Sequence, residues 1–215
     1  MAQDASAVRP KQGQFMTAIP VTNSASGAFP FGLDVDGPQP QGRLSVFLRY
    51  IFAIPQFIAV ALVGIGAEIV TLIAWFAILF TGKYPAGMMN FATGYLRWSV
   101  RASGYLYLLT GTYPPFSLDA DAAYPIRFSG EGQVDGRNRL TVFFRVFMLI
   151  PHIIVLYVLS AVAGVVLFIS WLAALFTGSV PAGMHTFLAG VLRWMVRIQA
   201  YALLLTDEYP PFSLN

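Results

Sequence analysis

The sequence predicts an all-α membrane protein built from two tandem parallel repeats. Three observations carry this. Of 215 residues, 57% are hydrophobic and only 11% charged, against about a quarter charged in ordinary soluble domains. The apolar residues are gathered into two blocks, Leu44 to Phe80 and Leu140 to Phe176. Each holds about 37 residues, nearly twice the ~20 of one membrane-spanning helix. The chain also matches itself without a gap at an offset of about 96 residues, from Arg43 to Leu118, with about half the positions identical. That is the mark of an internal repeat.

The elements follow in order. Residues 1–28 hold Asp4, Arg9 and Lys11 among Ala, Gln, Ser, Gly and Pro, with no apolar run of the kind that targets a chain for secretion. They read as a flexible tail. Repeat 1 then covers 29–118 and repeat 2 covers 119–215. Each opens on a short alternating segment: Phe29, Phe31, Leu33 and Val35 in the first, Tyr124, Ile126 and Phe128 in the second. Period-two alternation predicts a short extended segment.

The apolar block comes next. "GIG", Gly64 to Gly66, sits near the middle of the first block, and Gly164 lies at the matching place in the second. A helical hairpin is expected, with arms at about Leu44 to Val63 and Ala67 to Phe80. The second arm of about 14 residues is short of the ~20 that cross, so the hairpin either spans or is re-entrant. Pro55 and Pro151 should kink the first arm, which membrane helices tolerate when neighbours satisfy the freed carbonyl. Gly82 and Gly178 are expected as glycine stops, with Pro85 and Pro181 just beyond.

The next helix, about Ala86 to Thr110, differs in kind. Asn90, Thr93, Gly94, Arg97, Arg101 and Gly104 recur at three and four and form a polar, small-residue face. An arginine at the bilayer centre costs at least ~2.5 kcal/mol. An amphipathic helix lying in the interface avoids that cost. Thr186, Gly190, Arg193 and Arg197 repeat the pattern. "YPPFSL" closes each repeat, at Tyr113 to Leu118 and Tyr209 to Leu214. Two prolines end the helix and force an extended exit, which should turn the chain away from the membrane surface.

The basic residues sort to one side of this scheme, and the hairpin tips carry none. The positive-inside rule then makes both termini and the short extended segments cytoplasmic. A chain that returns to its starting side has parallel repeats, related by an axis along the membrane normal.

The paired strings "RLSVFLRYIFAIPQ" and "RLTVFFRVFMLIPH", "FTGKYPAGMMNF" and "FTGSVPAGMHTF", and the terminal "YPPFSL" carry a resemblance. The chain resembles an uncharacterised bacterial integral-membrane family, a domain of unknown function whose members hold one or two copies of this unit. The resemblance implies the fold and a bacterial cytoplasmic membrane location. It implies no activity and no catalytic residue.

Among candidate sites, Arg49, Arg97, Arg101, Arg145, Arg193 and Arg197 are the best-marked polar set. They are expected to meet anionic lipid headgroups or acidic groups of a partner. For Arg49 and Arg145, one turn inside the first arm, snorkelling to headgroups is the simpler account. Glu68 is the one acid inside an apolar block, an ion or proton ligand by default, yet its place near the expected tip puts it in water. His152, with Gln56 as its counterpart, could serve as an axial ligand to haem or a chlorin magnesium. His185 is expected at the interface.

With no cysteine in the chain, disulfides and thiolate metal sites are excluded. The apolar blocks contain no paired carboxylates and no metal-spaced histidines, so no catalytic residue, metal or resident cofactor is expected. "GIGAE" lacks the third glycine of a dinucleotide loop. Nucleic acid is not an expected partner; membrane lipids, other membrane subunits or further copies of the chain are. The function expected is a non-catalytic scaffold or accessory subunit of a larger membrane complex. The alternatives are a small oligomeric transporter or channel, a pigment- or haem-binding subunit of an energy-converting complex, and a lipid-shaping protein.

Overall fold

Residues 29–215 are described by a computed structural model; the expected tail, 1–28, lies outside the described residues. The alternating segments form strands, β1 (Gly32–Val35) and β2 (Ile126–Ser129). The two pair antiparallel with each other, Leu33 opposite Phe128 and Asp34 opposite Arg127. Among the described residues, the strand of one repeat thus finds its only partner in the other.

Two short helices, α1 (Arg43–Phe47) and α4 (Arg139–Phe143), precede the long ones. Each apolar block then continues as one unbroken helix, α2 (Arg49–Thr81) and α5 (Arg145–Thr177). The expected hairpin is therefore absent: "GIG" lies inside α2. The glycines make room for aromatic rings and do not turn the chain. A Cβ on Gly64 would lie 3.2 Å from the Tyr95 ring, so the ring occupies the hollow that glycine leaves. Gly82 and Gly178 end the long helices as expected, with left-handed φ of 74° and 81°. Glycine accepts this conformation without the Cβ penalty.

The last helices, α3 (Ala86–Leu106) and α6 (Ala182–Ala202), fold back antiparallel along α2 and α5. They are the most buried elements, with Leu96, Val100, Leu192 and Val196 in one core and Tyr105 and Tyr201 also buried. They also meet each other, Gly104 facing Leu192. The expectation that α3 and α6 turn their small and polar face outward is corrected. Their small and polar face is used to let other protein segments approach. Gly94 and Gly190 receive Leu118 and Leu214, and Gly104 receives Ile126 of β2.

The repeats also exchange their short helices. α1 packs on α5 and α4 packs on α2. The Trp171 indole N–H donates to the Val46 carbonyl at 3.0 Å, and the Trp75 indole N–H to the Val142 carbonyl at 3.0 Å. The start of each repeat thereby lies at the end of the other repeat's long helix, so α2 and α5 run antiparallel. Val46 and Val142 are fully buried at these contacts. The result is layered: the two-stranded sheet rests on α3 and α6, and α2 and α5 pack on the far side of α3 and α6 without touching the sheet.

Candidate functional site

Five of the six candidate arginines, all but Arg97, donate to the chain's own backbone carbonyls. Arg49 is 1% exposed. Its guanidinium donates to the carbonyls of Tyr105 and Thr110, each at 2.8 Å, and to the Gln41 side chain at 2.7 Å. It also lies 4.3 Å from the centre of the Tyr105 ring. Arg145 repeats this at the end of α6, donating to Tyr201 at 2.7 Å and Thr206 at 2.9 Å, and lying 4.1 Å from the Tyr201 ring centre. A helix leaves its last carbonyls without internal partners. A cation there meets both the free carbonyls and the negative end of the helix dipole. Snorkelling to headgroups is therefore not what these two residues do.

The helix ends they clasp have an uncommon turn. Leu108 and Leu204 adopt left-handed φ of 61° and 62°, a conformation that costs a non-glycine residue ~1–2 kcal/mol. Both side chains are buried, which offsets that strain with apolar burial. Beyond the turn, "YPPFSL" does not leave the helical layer. It doubles back along the helix as a strap until Leu118 meets Gly94 and Leu214 meets Gly190. Arg101 donates to the Ser117 carbonyl, and Arg197 to the carbonyls of Ser213 and Asn215. The two inner arginines thus tie the straps down. Arg193 donates to the Leu33 carbonyl of β1 at 3.0 Å. Arg97 and Arg101 line a surface cleft of about 190 Å³ beside Asp119 and Asp121.

The straps also reach the long helices. In repeat 1 the Gln56 amide donates to the Pro114 carbonyl at 2.5 Å, and its oxygen accepts from the Trp98 indole at 2.8 Å. In repeat 2 His152 takes the place of Gln56. It is fully buried, stacked on Phe212 with ring centres 4.1 Å apart and planes at 12°, and edge-on to Trp194. The Trp194 indole nitrogen has no hydrogen-bond partner, and the His152 ring lies beside the Pro210 carbonyl. A planar cofactor bound to His152 would have to displace Phe212. The geometry supports an aromatic clamp in the position where repeat 1 has a polar one. His185, expected at the interface, is buried between the repeats, with Nε2 3.2 Å from the Leu109 carbonyl.

Sequence reasoning missed one charged cluster. Asp207 bridges Arg137 and Arg145, at 2.7 Å from each, and accepts from the Asn138 backbone at 2.7 Å. Burial pushes the Asp207 carboxyl up, but the Arg137 and Asn138 hydrogen bonds and the Arg145 charge outweigh it and hold the pKa below the usual 3.8. The signal was present as a departure from the repeat: Gly111 and Gln41 stand where repeat 2 has Asp207 and Arg137. An open groove of about 530 Å³ lies between α2 and the start of α5, lined by Glu68, Trp75, Tyr95, Arg145 and Gln199. Glu68 is exposed there, part-way along an unbroken helix and not at a tip. Among the described residues no three His, Asp or Glu side chains are grouped to hold a metal ion.

Two helices, α2 and α5, are long and apolar enough to cross a membrane. Neither a curated protein nor a solved structure matches the chain. The family described as "Domain of unknown function (DUF4389)" matches it twice, over residues 43–117 and 139–213. These two stretches take in each long helix, its buried partner and its strap, so the chain belongs to that family as a tandem pair of its domains.

Proposed function

We propose that the chain is a non-catalytic, membrane-embedded scaffold or accessory subunit, with both termini on the cytoplasmic side of a bacterial membrane. One observation carries the reading. The arginines of the helical layer are spent on holding the fold, while the outward surface of α2 and α5 is apolar and open. A protein built this way presents packing surface to lipid or to other membrane helices. Exposed Ile58, Leu62 and Ile65 on α2, and Ile154, Val158 and Val165 on α5, are of the kind that such partners cover. Gentle extraction from native membranes, followed by native mass and identification of co-migrating chains, tests this. A fixed set of partner subunits is the expected outcome. A chain that migrates alone and turns over a soluble substrate would refute it.

A lipid-shaping role is the second reading. It is favoured by the same apolar surface, which lies on one side of the molecule.

A further inference from the structure

From the layering of polar and apolar groups we infer that this chain lies flat in one leaflet, with α2 and α5 parallel to the membrane plane, and that its partner surface is the lipid of that leaflet. The inference rests on the membrane reading above and adds its orientation.

The sheet layer is charged. Arg127 pairs with Asp34 and Asp36 across β1 and β2, and Asp119 and Asp121 flank it beside Arg97. This layer rests on the middles of α3 and α6: Ile126 at Gly104, Leu33 at Arg193, and the acidic loop at Arg97 and Val100. The middle of α3 in turn packs on the middle of α2, Tyr95 against Gly64 and Trp98 against Gln56. If α2 stood upright, the carboxylates would lie at the same depth as Leu62, near the bilayer centre. Each charge there costs at least ~2.5 kcal/mol. Laid flat, the same molecule puts every one of these groups on its water side.

The dimensions agree. Exposed apolar positions run along α2 from Ile51 to Phe80, about 44 Å at ~1.5 Å per residue. Fitting that into a core of ~30 Å would need a tilt of about 45–50°, beyond the roughly 0–40° of membrane-spanning helices. A flat helix is about 10–12 Å thick, close to the ~15 Å of one leaflet's hydrocarbon. Between Arg49 and Thr81 the single exposed charge is Glu68, and α5 exposes none. The rim is interfacial in kind. Tyr113, Phe116, Tyr209 and Phe212 are about half exposed, and Arg43, Lys83 and Arg139 are exposed at the ends of the long helices. Aromatic rings and basic side chains at that level suit the headgroup region of anionic lipid. A twofold along the membrane normal relates the repeats in this orientation, so antiparallel α2 and α5 lie side by side at one depth.

The chain has no cysteine, so single thiols report cleanly. The test uses R43C and K83C of the full chain, each labelled with a membrane-impermeant maleimide in spheroplasts and in inverted vesicles. Flotation of the same vesicles reports membrane association. Polarised infrared dichroism of the unaltered chain in oriented bilayers of phosphatidylethanolamine and phosphatidylglycerol gives the helix tilt without any substitution. Flat binding predicts that both sites label in inverted vesicles and neither in spheroplasts, with the long helix axes in the plane. Labelling from opposite sides, or helices along the normal, overturns the flat orientation and leaves the membrane reading standing. A chain that fails to float and forms a dimer in solution overturns both, with a second copy covering the apolar face.

Discussion

The two repeats solve one problem with different chemistry. Each must hold an arginine from the start of a long helix against the frayed carbonyl end of the next. Repeat 1 does so with neutral help: Gln41 accepts from Arg49, and Gly111 leaves space beside it. Repeat 2 puts Arg137 and Asp207 at the equivalent places and builds a buried ion triad. The reverse holds at the strap, where repeat 1 uses the polar Gln56 and repeat 2 the apolar stacking of His152. The backbone clasp is common, and the side chains that satisfy it are free to differ. A duplicated fold is constrained by which groups must be paired, more than by the identity of the residue that pairs them.

The largest effect should come from breaking the triad. Asp207→Ala leaves Arg137 and Arg145 buried without their counter-ion and should cost about 3–5 kcal/mol. Thermal unfolding in detergent measures it, and Gly111→Ala in repeat 1 should move the midpoint far less. The triad also makes repeat 2 the acid-sensitive half. The folded pKa of Asp207 is lowered, so its contribution is complete above the ordinary value of 3.8 and is lost as pH falls below that. Acid should open the 139–207 clasp before the 43–111 clasp, read by amide exchange at Leu205 against its equivalent Leu109, both hydrogen-bonded at the clasped helix ends.

A smaller and symmetric effect is expected from the exchanged helices. Trp75→Phe and Trp171→Phe each remove one indole-to-carbonyl hydrogen bond and should cost about 0.5–1.5 kcal/mol, equally in the two repeats. A clear inequality between them would show that the exchange is not reciprocal in solution. Making repeat 2 resemble repeat 1 should go the other way. His152→Gln gives the orphaned Trp194 indole an acceptor of the kind Trp98 has, and should stabilise by about 1 kcal/mol. A destabilised variant would mean that the aromatic stack outweighs the missing hydrogen bond. Smallest of all, Lys83→Ala removes an exposed pair with Asp135 and should change stability by less than about 1 kcal/mol.

Much of the fold was legible before any coordinates. The duplication placed every element of repeat 2 once repeat 1 was known. Period two marked the strands, and Gly82 and Gly178 marked the ends of the long helices. Misreadings came where a residue has two structural uses. "GIG" reads equally as a turn or as a hollow for a ring, and only the position of Tyr95 distinguishes them. A polar stripe of arginines and glycines reads equally as a wet face or as a docking face for a strap. The Asp207 cluster was hidden because Asp207 lies 62 residues beyond Arg145 and because both Asp207 and Arg137 have neutral counterparts in repeat 1.

Sequence alone determined the repeat, the apolar layer, the ends of the long helices and the extended segments. Each is a property of one stretch of chain: its periodicity, its composition, or a backbone conformation that glycine accepts. Tertiary structure alone decided that β1 pairs with β2, that α1 and α4 change places, that the straps double back, and that the arginines point inward. These depend on which face meets which. A buried guanidinium is stable only where carbonyls converge on it, and that convergence exists only once Tyr105 and Thr110, or Tyr201 and Thr206, have been brought round by the fold.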